Sequence, residues 1–367
     1  MLHHHVDDEH RILAALSACS AATVARINYR ASSTHPYPTP CHDVLFAFDW
    51  LRHHLLCDGF DRAVLGRVGV CGQLVGGSLA TMLALTECRV GETRVVAAAV
   101  NNPIVDWVFV DEIPPVTTEE LPEPMAADET AFPADQDATS LAEPEPEPEP
   151  EPSHKRSSPV RKNALPTSWQ AHGDNSVIPA LTLSAERDML FCRPDDYLDR
   201  FASPIHFFRS PHAQIPPPIP DDPDDLLDME AKFALDHYAS FQARTPATLS
   251  RCRAYARHYP QASMHVKLPV WHMATGLQSP LSDQTHELAK VVQRSIVRQR
   301  LKAQEGRTSW TDASEKQRYE EWAQEKVVLQ KYQGTGLWSS QDGDPNWITR
   351  IEQVGTWMKR SLEPGFA

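Results

Sequence analysis

Hydrophobic positions along the first hundred residues change period repeatedly. Residues 9–22 are rich in alanine and place Ile12, Leu13 and Leu16 at helical spacing. Residues 23–30 are β-rich and predict a strand. A proline-rich turn at 35–40 follows, then residues 43–56 with Val44, Leu45, Phe48, Leu51 and Leu55 on one stripe, an amphipathic helix. Residues 64–70 predict a strand, 76–86 a helix, and 93–100 a third strand that is apolar after Arg94. Late in the chain, 266–275 and 327–332 predict two more strands. Helices are predicted at 282–305, 310–325 and 347–362, the last with Ile348, Ile351, Val354, Trp357 and Met358 on its apolar face. Strands apolar on both faces that alternate with helices imply a mostly parallel sheet flanked by helices. The predicted class is α/β.

The middle of the chain breaks this pattern. Residues 111–166 have no periodicity and contain five consecutive Glu-Pro pairs between Glu143 and Pro152. Proline removes backbone donors and repeated glutamate resists collapse, so a disordered acidic insertion is predicted. It ends in a basic patch from Lys155 to Lys162, where Ser158-Pro159 has the form of a proline-directed kinase site. A second acidic proline run spans 216–225, and short helices are predicted at 232–238 and 249–255. The expected organisation is a first part of the core at 1–110, the insertion at 111–166, a cap-like irregular region at 167–262, and the rest of the core at 263–367.

Bulk charge narrows the partners. The 367 residues are 41% hydrophobic with a net charge of -14, which argues against nucleic acid and anionic membrane, since both need a basic footprint. No run approaches the ~20 apolar residues of a membrane span. The N-terminus lacks the basic-then-apolar layout of a signal peptide. Seven cysteines form no C-x-x-C pair and read as free thiols, so a cytoplasmic location is expected. His286-Glu287 begins like a zinc-protease motif but lacks the second histidine, and no metal or cofactor is expected.

The stretch with the sharpest chemistry runs from Arg67 to Ala80. It reads as a buried strand, a glycine turn and a helix start, with the frame Gly72-Gln73-Leu74-Val75-Gly76 followed by Gly77-Ser78. That is the layout of a Gly-x-Ser-x-Gly nucleophile elbow, whose strained turn exposes a side chain while helix N–H groups face a developing oxyanion. Leu74 occupies the nucleophile position and has nothing to attack with. Cys71 is a fallback nucleophile, but its frame lacks the closing glycine and puts it at the strand end, where a buried inert cysteine is the plainer reading. Ser78 lies inside the helix and suits packing. His272 reads as a core histidine. His42, His53 and His54 read as helix-exterior or cap residues, and Trp338, Trp347 and Trp357 as anchors of the closing helix.

The chain resembles the hormone-sensitive-lipase-like branch of the α/β-hydrolases, the fold-3 group, and a fungal subset of it. Ile27-Asn28-Tyr29-Arg30, His35-Pro36-Tyr37-Pro38, Asp43 and Trp50-Leu51 are similar to that family's D-Y-R, H-P-x-P, D and W-L landmarks. Gly72 to Ala80 is similar to its G-D-S-A-G-G-N-L-A. Ser279-Pro280-Leu281-Ser282-Asp283 sits where the family has D-P-L-x-D, so the resemblance implies that Ser279 stands at the acid position. It also implies a histidine near 334–338, and no histidine follows His286. The family's H-G-G-G oxyanion loop and leading strands would fall before residue 1, leaving the predicted strand at 23–30 with an unprotected neighbour edge.

Three functions are compatible with these residues. One is a catalytically inactive or impaired hydrolase relative that acts as a scaffold or binds a small ester or apolar ligand. Another is a carboxylic-ester hydrolase with relocated catalytic groups, Cys71 among them. The third is an interaction protein that captures a protein partner through residues 119–162 of the Glu-Pro insertion.

Overall fold

The computed structural model describes residues 6–56, 64, 66–116, 121–125, 131–132, 166–216, 249–261, 263–305 and 312–363. Among them the main sheet has four parallel strands: β1 (Arg67–Gln73), β2 (Arg94–Asn101), β3 (Val270–Gly276) and β4 (Val327–Tyr332), in that spatial order. The two central strands are buried throughout, apart from Arg94 at the start of β2. This is why both read as continuous apolar runs.

Helices cover both faces. Helix α1 (Val6–Ser20) packs against the closing helix, and α2 (Thr39–His54) packs on α3 (Leu74–Thr86), which lies over β1 and β2. Three short helices follow in the middle of the chain: α4 (Ser168–His172), α5 (Ala180–Leu190) and α6 (Pro194–Leu198). Then come α7 (Ser282–Glu305), α8 (Ala313–Lys326) and the closing α9 (Trp347–Leu362). One core joins α3, α7 and one sheet face through Met82, Leu85, Trp271, Met273, Leu288 and Val292. On the opposite face, α9 buries Ile351, Val354 and Met358 against Val96 and Val270, with Leu16 of α1 beside them. Helix α3 is buried on nearly every side, so its mixture of Leu, Ala and Met shows no polar face.

Several expectations are corrected. Residues 23–30 form no strand: the segment is irregular and mostly exposed, and Arg30 is pinned by a bidentate pair with Asp43 at 2.7 and 3.0 Å. Its β-rich composition finds no neighbouring strand to pair with. Residues 249–255 are not helical. Ser250–Arg251 pairs antiparallel with Ala213–Gln214, and Ala256–Arg257 pairs with Ala131–Phe132, so tertiary pairing overrides local propensity. The strand predicted at 266–275 begins at Val270, and the elbow helix begins at Leu74 rather than residue 76.

Residues 111–113, expected within the solvated stretch, are tied to the rest of the molecule, while 114 and 115 are exposed. Asp111 accepts hydrogen bonds from Thr167 and Gln170 at 2.8 and 2.7 Å, Glu112 pairs with Arg187 at 2.7 Å, and Ile113 is buried. The Glu-Pro pairs, Ser158 with its basic patch, and the helix expected at 232–238 lie outside the described residues, as do 119–120, 126–130 and 133–162 of the proposed partner segment. No helix among the described residues is long and apolar enough to cross a membrane.

Candidate active site

The junction of β1 and α3 has the geometry of a nucleophile elbow. Leu74 is the first helical residue and sits at φ +52°, the left-handed region that a branched side chain rarely adopts. A Cβ on Gly72 would lie 2.2 Å from the carbonyl oxygen of Gly76, so only glycine allows the strand to turn so closely under the helix. Gly77 is tighter than ordinary contact against Pro103, at 3.1 Å. Gly76 is different, because its added Cβ would meet nothing nearer than the Tyr29 hydroxyl at 3.6 Å. Of the two flanking glycines in the motif, Gly72 is the one the turn itself requires.

The side chain at the elbow tip does not face an open site. Leu74 is 5% exposed and shares an apolar cluster with Ile104, Trp107, Leu281 and Leu337. Leu337 lies in the segment after β4 where the resemblance leads one to expect a histidine, and it packs in the same apolar cluster as Leu74. Ser279, at the acid position, is fully buried and faces inward on its own turn. Its Oγ accepts from the Leu281 N–H at 3.2 Å and its carbonyl from Ser282 at 3.2 Å, which starts α7. Asp283 is used structurally as well: it accepts from the Ser168 N–H at 2.6 Å and thereby holds α4.

The strand ends beside the elbow are joined by neutral amides. Asn101 Nδ2 donates to the Gly336 carbonyl and Asn102 Nδ2 to the Thr335 carbonyl, each at 2.9 Å, while Thr275 Oγ1 donates to Asn102 Oδ1 at 2.8 Å. Asp342 then accepts from the N–H groups of Thr335 and Gly336, both at 2.9 Å, and pairs with Arg350 at 3.3 Å. Asn102 itself sits at φ +43°. This arrangement orders the loop between β4 and α9, and its hydrogen bonds join amides, a threonine and one ion pair.

The fallback nucleophile is not the buried residue expected. Cys71 is exposed on β1. Its exposed surface argues for a water-accessible thiol, whereas the protein packed around it disfavours thiolate and pushes the thiol up to about 12. Exposure leaves Cys71 open to solvent, while the surrounding protein favours the thiol over the nucleophilic thiolate. Ser78 is buried in α3 and its Oγ donates to the Ala202 carbonyl at 3.3 Å. His272 is buried on β3 with its ring 5.5 Å from that of Trp357, and burial lowers its pKa. His286, His53 and His54 each donate from Nδ1 to the carbonyl four residues back. No group of His, Cys, Asp and Glu suited to a metal occurs among the described residues.

Space is as limited as chemistry. Beside α3, a cavity of about 20 Å³ lies between Tyr37, Cys41, Ser78, Trp107 and Phe191, room for about one water molecule. A wider surface hollow of about 330 Å³ is lined by Glu352, Thr356, Trp357 and Arg360 of α9, on the sheet face opposite α3.

Sequence reasoning missed the densest charged cluster. Asp106, the lone charge in an apolar run from Pro103 to Phe109, pairs with Arg209 at 2.7 Å, and Arg209 also reaches Glu287 at 2.6 Å. His206 is fully buried beside them, with Nδ1 on the Leu198 carbonyl at 3.0 Å and Nε2 3.7 Å from Asp106. Burial pulls His206 down to about 4 against the opposing charge of Asp106. Burial alone would raise Asp106, but the charges of Arg209 and His206 hold it below the usual carboxylate range. The apolar context of Asp106 was the available signal, since an isolated acid there needs a partner. Tyr29, quoted from the sequence only as part of the landmark at 27–30, lies at the elbow as well. Its phenol, near Gly76, is pushed up to about 12 by burial and by the charge of Glu186.

Comparison with known proteins places this geometry. Residues 1–204 match the model of a family described as alpha/beta hydrolase fold. Esterase LipI of Mycobacterium tuberculosis is 31% identical over 86 residues, which cover 23% of this chain and 26% of that protein. The match thus spans about a quarter of the esterase's length. Among solved structures, a hyperthermophilic esterase from Pyrobaculum calidifontis aligns with 95% of this chain and 67% of its own at 15% identity, TM-score 0.49. Carboxyl esterase 2 of the mycorrhizal fungus Tuber melanosporum aligns with 98% of this chain and 75% of its own at 11% identity, TM-score 0.49.

Proposed function

The chain belongs to the α/β-hydrolase fold family, and from that premise we propose that it is a non-hydrolytic member, a scaffold or binding protein that keeps the elbow without its reaction. The observation that carries this reading is Leu74: the strained φ of a nucleophile is retained while the side chain is buried among Ile104, Trp107 and Leu337. Acyl transfer needs a nucleophile, a base that takes its proton and a group that orients the base. Leu74 and Ser279, the latter engaged in its own turn, stand where the resemblance expects the nucleophile and the acid, and residues 334–338, where it expects a base, hold no histidine. Helix N–H groups alone retain only weak catalysis in a site that has lost its reacting groups.

The test is turnover of p-nitrophenyl acetate and butyrate by the purified full chain, together with labelling by a fluorophosphonate. The reading expects hydrolysis at the buffer rate and no stoichiometric adduct. A saturable rate that is lost on substituting Cys71 or Ser78 would overturn it.

A second reading, ester hydrolysis by relocated groups, is favoured by the likeness to an esterase over 86 residues. It requires Cys71 to act as a thiolate against a pKa near 12. Stoichiometric iodoacetamide capture at Cys71 near neutral pH, together with ester turnover, distinguishes it from the first.

A further inference from the structure

We propose that a row of cations along the strand starts of the main sheet binds an extended run of carboxylates, and that its occupant is the acidic run of this same chain, the five glutamates of the Glu-Pro pairs between Glu143 and Pro152. This goes beyond the functional reading and does not depend on whether the elbow reacts.

The row follows from the register. Arg67 opens β1 and stands opposite Arg94, which opens β2. Ala97 stands opposite Val270. Lys267 is as far ahead of Val270 as Arg94 is ahead of Ala97, so it comes level with Arg94 on the approach to β3. Arg94 Nη1 donates to the Lys267 carbonyl at 3.5 Å, which ties the two together. Arg67 is fixed by donating to the carbonyls of Leu362 and Ser361 at 3.0 and 3.1 Å. Lys326, the last residue of α8, leads directly into β4 and acts on Lys267 as a fourth charge. Each of the four neighbouring strands thus has a cation at its start.

The folded part supplies no counter-charge. Partial burial and then the charges of Arg94, Lys326 and Arg67 lower the pKa of Lys267, and burial and Arg67 do the same to Arg94. Among the described residues no carboxylate pairs with Arg67, Arg94 or Lys267. In a chain of net charge -14, composition does not force such a grouping. Clusters of this kind recognise acidic segments.

The shape of the row favours an extended ligand. Three strand spacings make it about 14 Å long, too long for a compact anion, and Arg67 brings two main-chain carbonyl oxygens to one end. An extended chain with a carboxylate at every second residue spaces them about 6 Å apart, close to the distance between strands. The Glu-Pro run has that pattern, and its tethers are long enough. Phe132 pairs with Ala256, and as many residues separate Phe132 from Glu143 as separate Ala256 from Lys267. On the return, Ser168 Oγ donates to the Pro280 carbonyl at 3.0 Å, and more residues separate Pro152 from Ser168 than separate Lys267 from Pro280.

The experiment is carbodiimide cross-linking of the full chain, which joins an amine to a touching carboxylate, on a mixture of nitrogen-15-labelled and unlabelled copies, with peptide mapping. The expected link joins Lys267 to a glutamate of the run within one copy. It is lost in 1 M salt, where screening acts beyond about 3 Å, and reduced by Arg94→Gln, which leaves Lys267 in place. A second measurement keeps the fold untouched: Glu143→Gln, Glu145→Gln, Glu147→Gln, Glu149→Gln and Glu151→Gln together alter no described residue. In the carbon-13 NMR titration of methylated lysines, this variant should lower the Lys267 midpoint, because an ammonium that loses negative partners gives up its proton more readily. A Lys267 that forms no link to the run, or whose midpoint ignores the five substitutions, overturns the proposal. So do links found only between labelled and unlabelled copies, or a wild-type Lys267 midpoint raised by added tripolyphosphate, since either shows a row that its own run leaves open.

Discussion

The side-chain carbonyl of Gln73 accepts the backbone N–H of Trp338 at 3.0 Å. The residue that precedes the elbow therefore holds the loop on which a catalytic base would ride. The elbow and the closing loop are held in register by backbone and amide contacts together with the apolar packing of Leu74 and Leu337 in one cluster. This explains how the turn is held in place, and it makes the turn open to direct test.

Leu74 is expected to reverse a familiar order of substitution. Removing its side chain opens a cavity and costs about 2–5 kcal/mol whichever small residue replaces it. Alanine keeps the strain of a left-handed φ, about 1–2 kcal/mol, whereas glycine does not. Leu74→Gly should thus be the more stable of the two by about 1 kcal/mol in urea denaturation, although alanine is normally preferred at a helical position. Leu74→Ala at or above Leu74→Gly would mean that the turn is not strained.

The two flanking glycines should respond very differently. Gly72→Ala places a methyl 2.2 Å from the Gly76 carbonyl oxygen, and a loss on the order of 3 kcal/mol or failure to fold is expected. Gly76→Ala meets only Tyr29 at 3.6 Å. It should be neutral or stabilise by up to about 1 kcal/mol through helix propensity. Thermal melts of the two variants side by side provide the measurement.

His206 gives stability a pH dependence on the acid side. Its folded pKa is lowered to about 4 while the unfolded residue titrates near its ordinary 6.5. Between those values the unfolded chain binds a proton that the folded one refuses, so stability falls as pH drops from 6.5 toward 4, by up to about 3 kcal/mol. His212, lowered to about 4 by burial and by Arg209, acts in the same sense. Chemical denaturation at pH 7, 5.5 and 4.5 should show this slope, and His206→Gln should flatten it. The lowered pKa of Asp106 adds a further loss only at lower pH, as that carboxylate protonates.

Arg209 bridges two carboxylates that cannot do without it. Arg209→Met leaves Asp106 buried and uncompensated and should destabilise by about 3–5 kcal/mol. Adding Asp106→Asn removes the stranded charge and should recover part of that loss in a double-mutant cycle. Full additivity of the two single losses would show that the pair is not coupled.

Restoring one reacting atom should not restore the reaction. Leu74→Ser places a hydroxyl on the elbow with no histidine at 334–338 and Ser279 still capping α7. Hydrolysis of p-nitrophenyl acetate by this variant is expected at the buffer rate.

The β-strands buried on both faces were legible because burial on two sides leaves no polar alternation to blur them, as in Val95 to Val100 and Val270 to Ala274. The elbow was legible because glycine spacing reports backbone crowding, and Gly72 bears that out at 2.2 Å. Residues 23–30 misled because β-propensity measures fit to a neighbouring strand, and none pairs with them among the described residues. Residues 249–255 misled for the opposite reason, since their partners Ala213 and Gln214 lie far away in the chain. The cluster of Asp106, His206, Arg209 and Glu287 draws on three separate segments. No local pattern announces such a group, and only the apolar setting of Asp106 hinted at it.

Strands β2 and β3 are hydrogen-bonded neighbours, with Ala97 opposite Val270, and Asn102 donates its N–H to the Ala274 carbonyl at 2.9 Å. The chain thus leaves the sheet beside the end of β3 and re-enters at Val270, opposite Ala97, because the pair is parallel. The two ends of the intervening sequence are therefore fixed about 16 Å apart along the strand direction, five residues at about 3.3 Å each. Closing a longer excursion adds only a logarithmic entropy, about 0.6 kcal/mol per doubling. A change in the length of that excursion therefore costs the four-stranded frame little, provided that its packed residues, Ile205 and Phe207 among them, are kept.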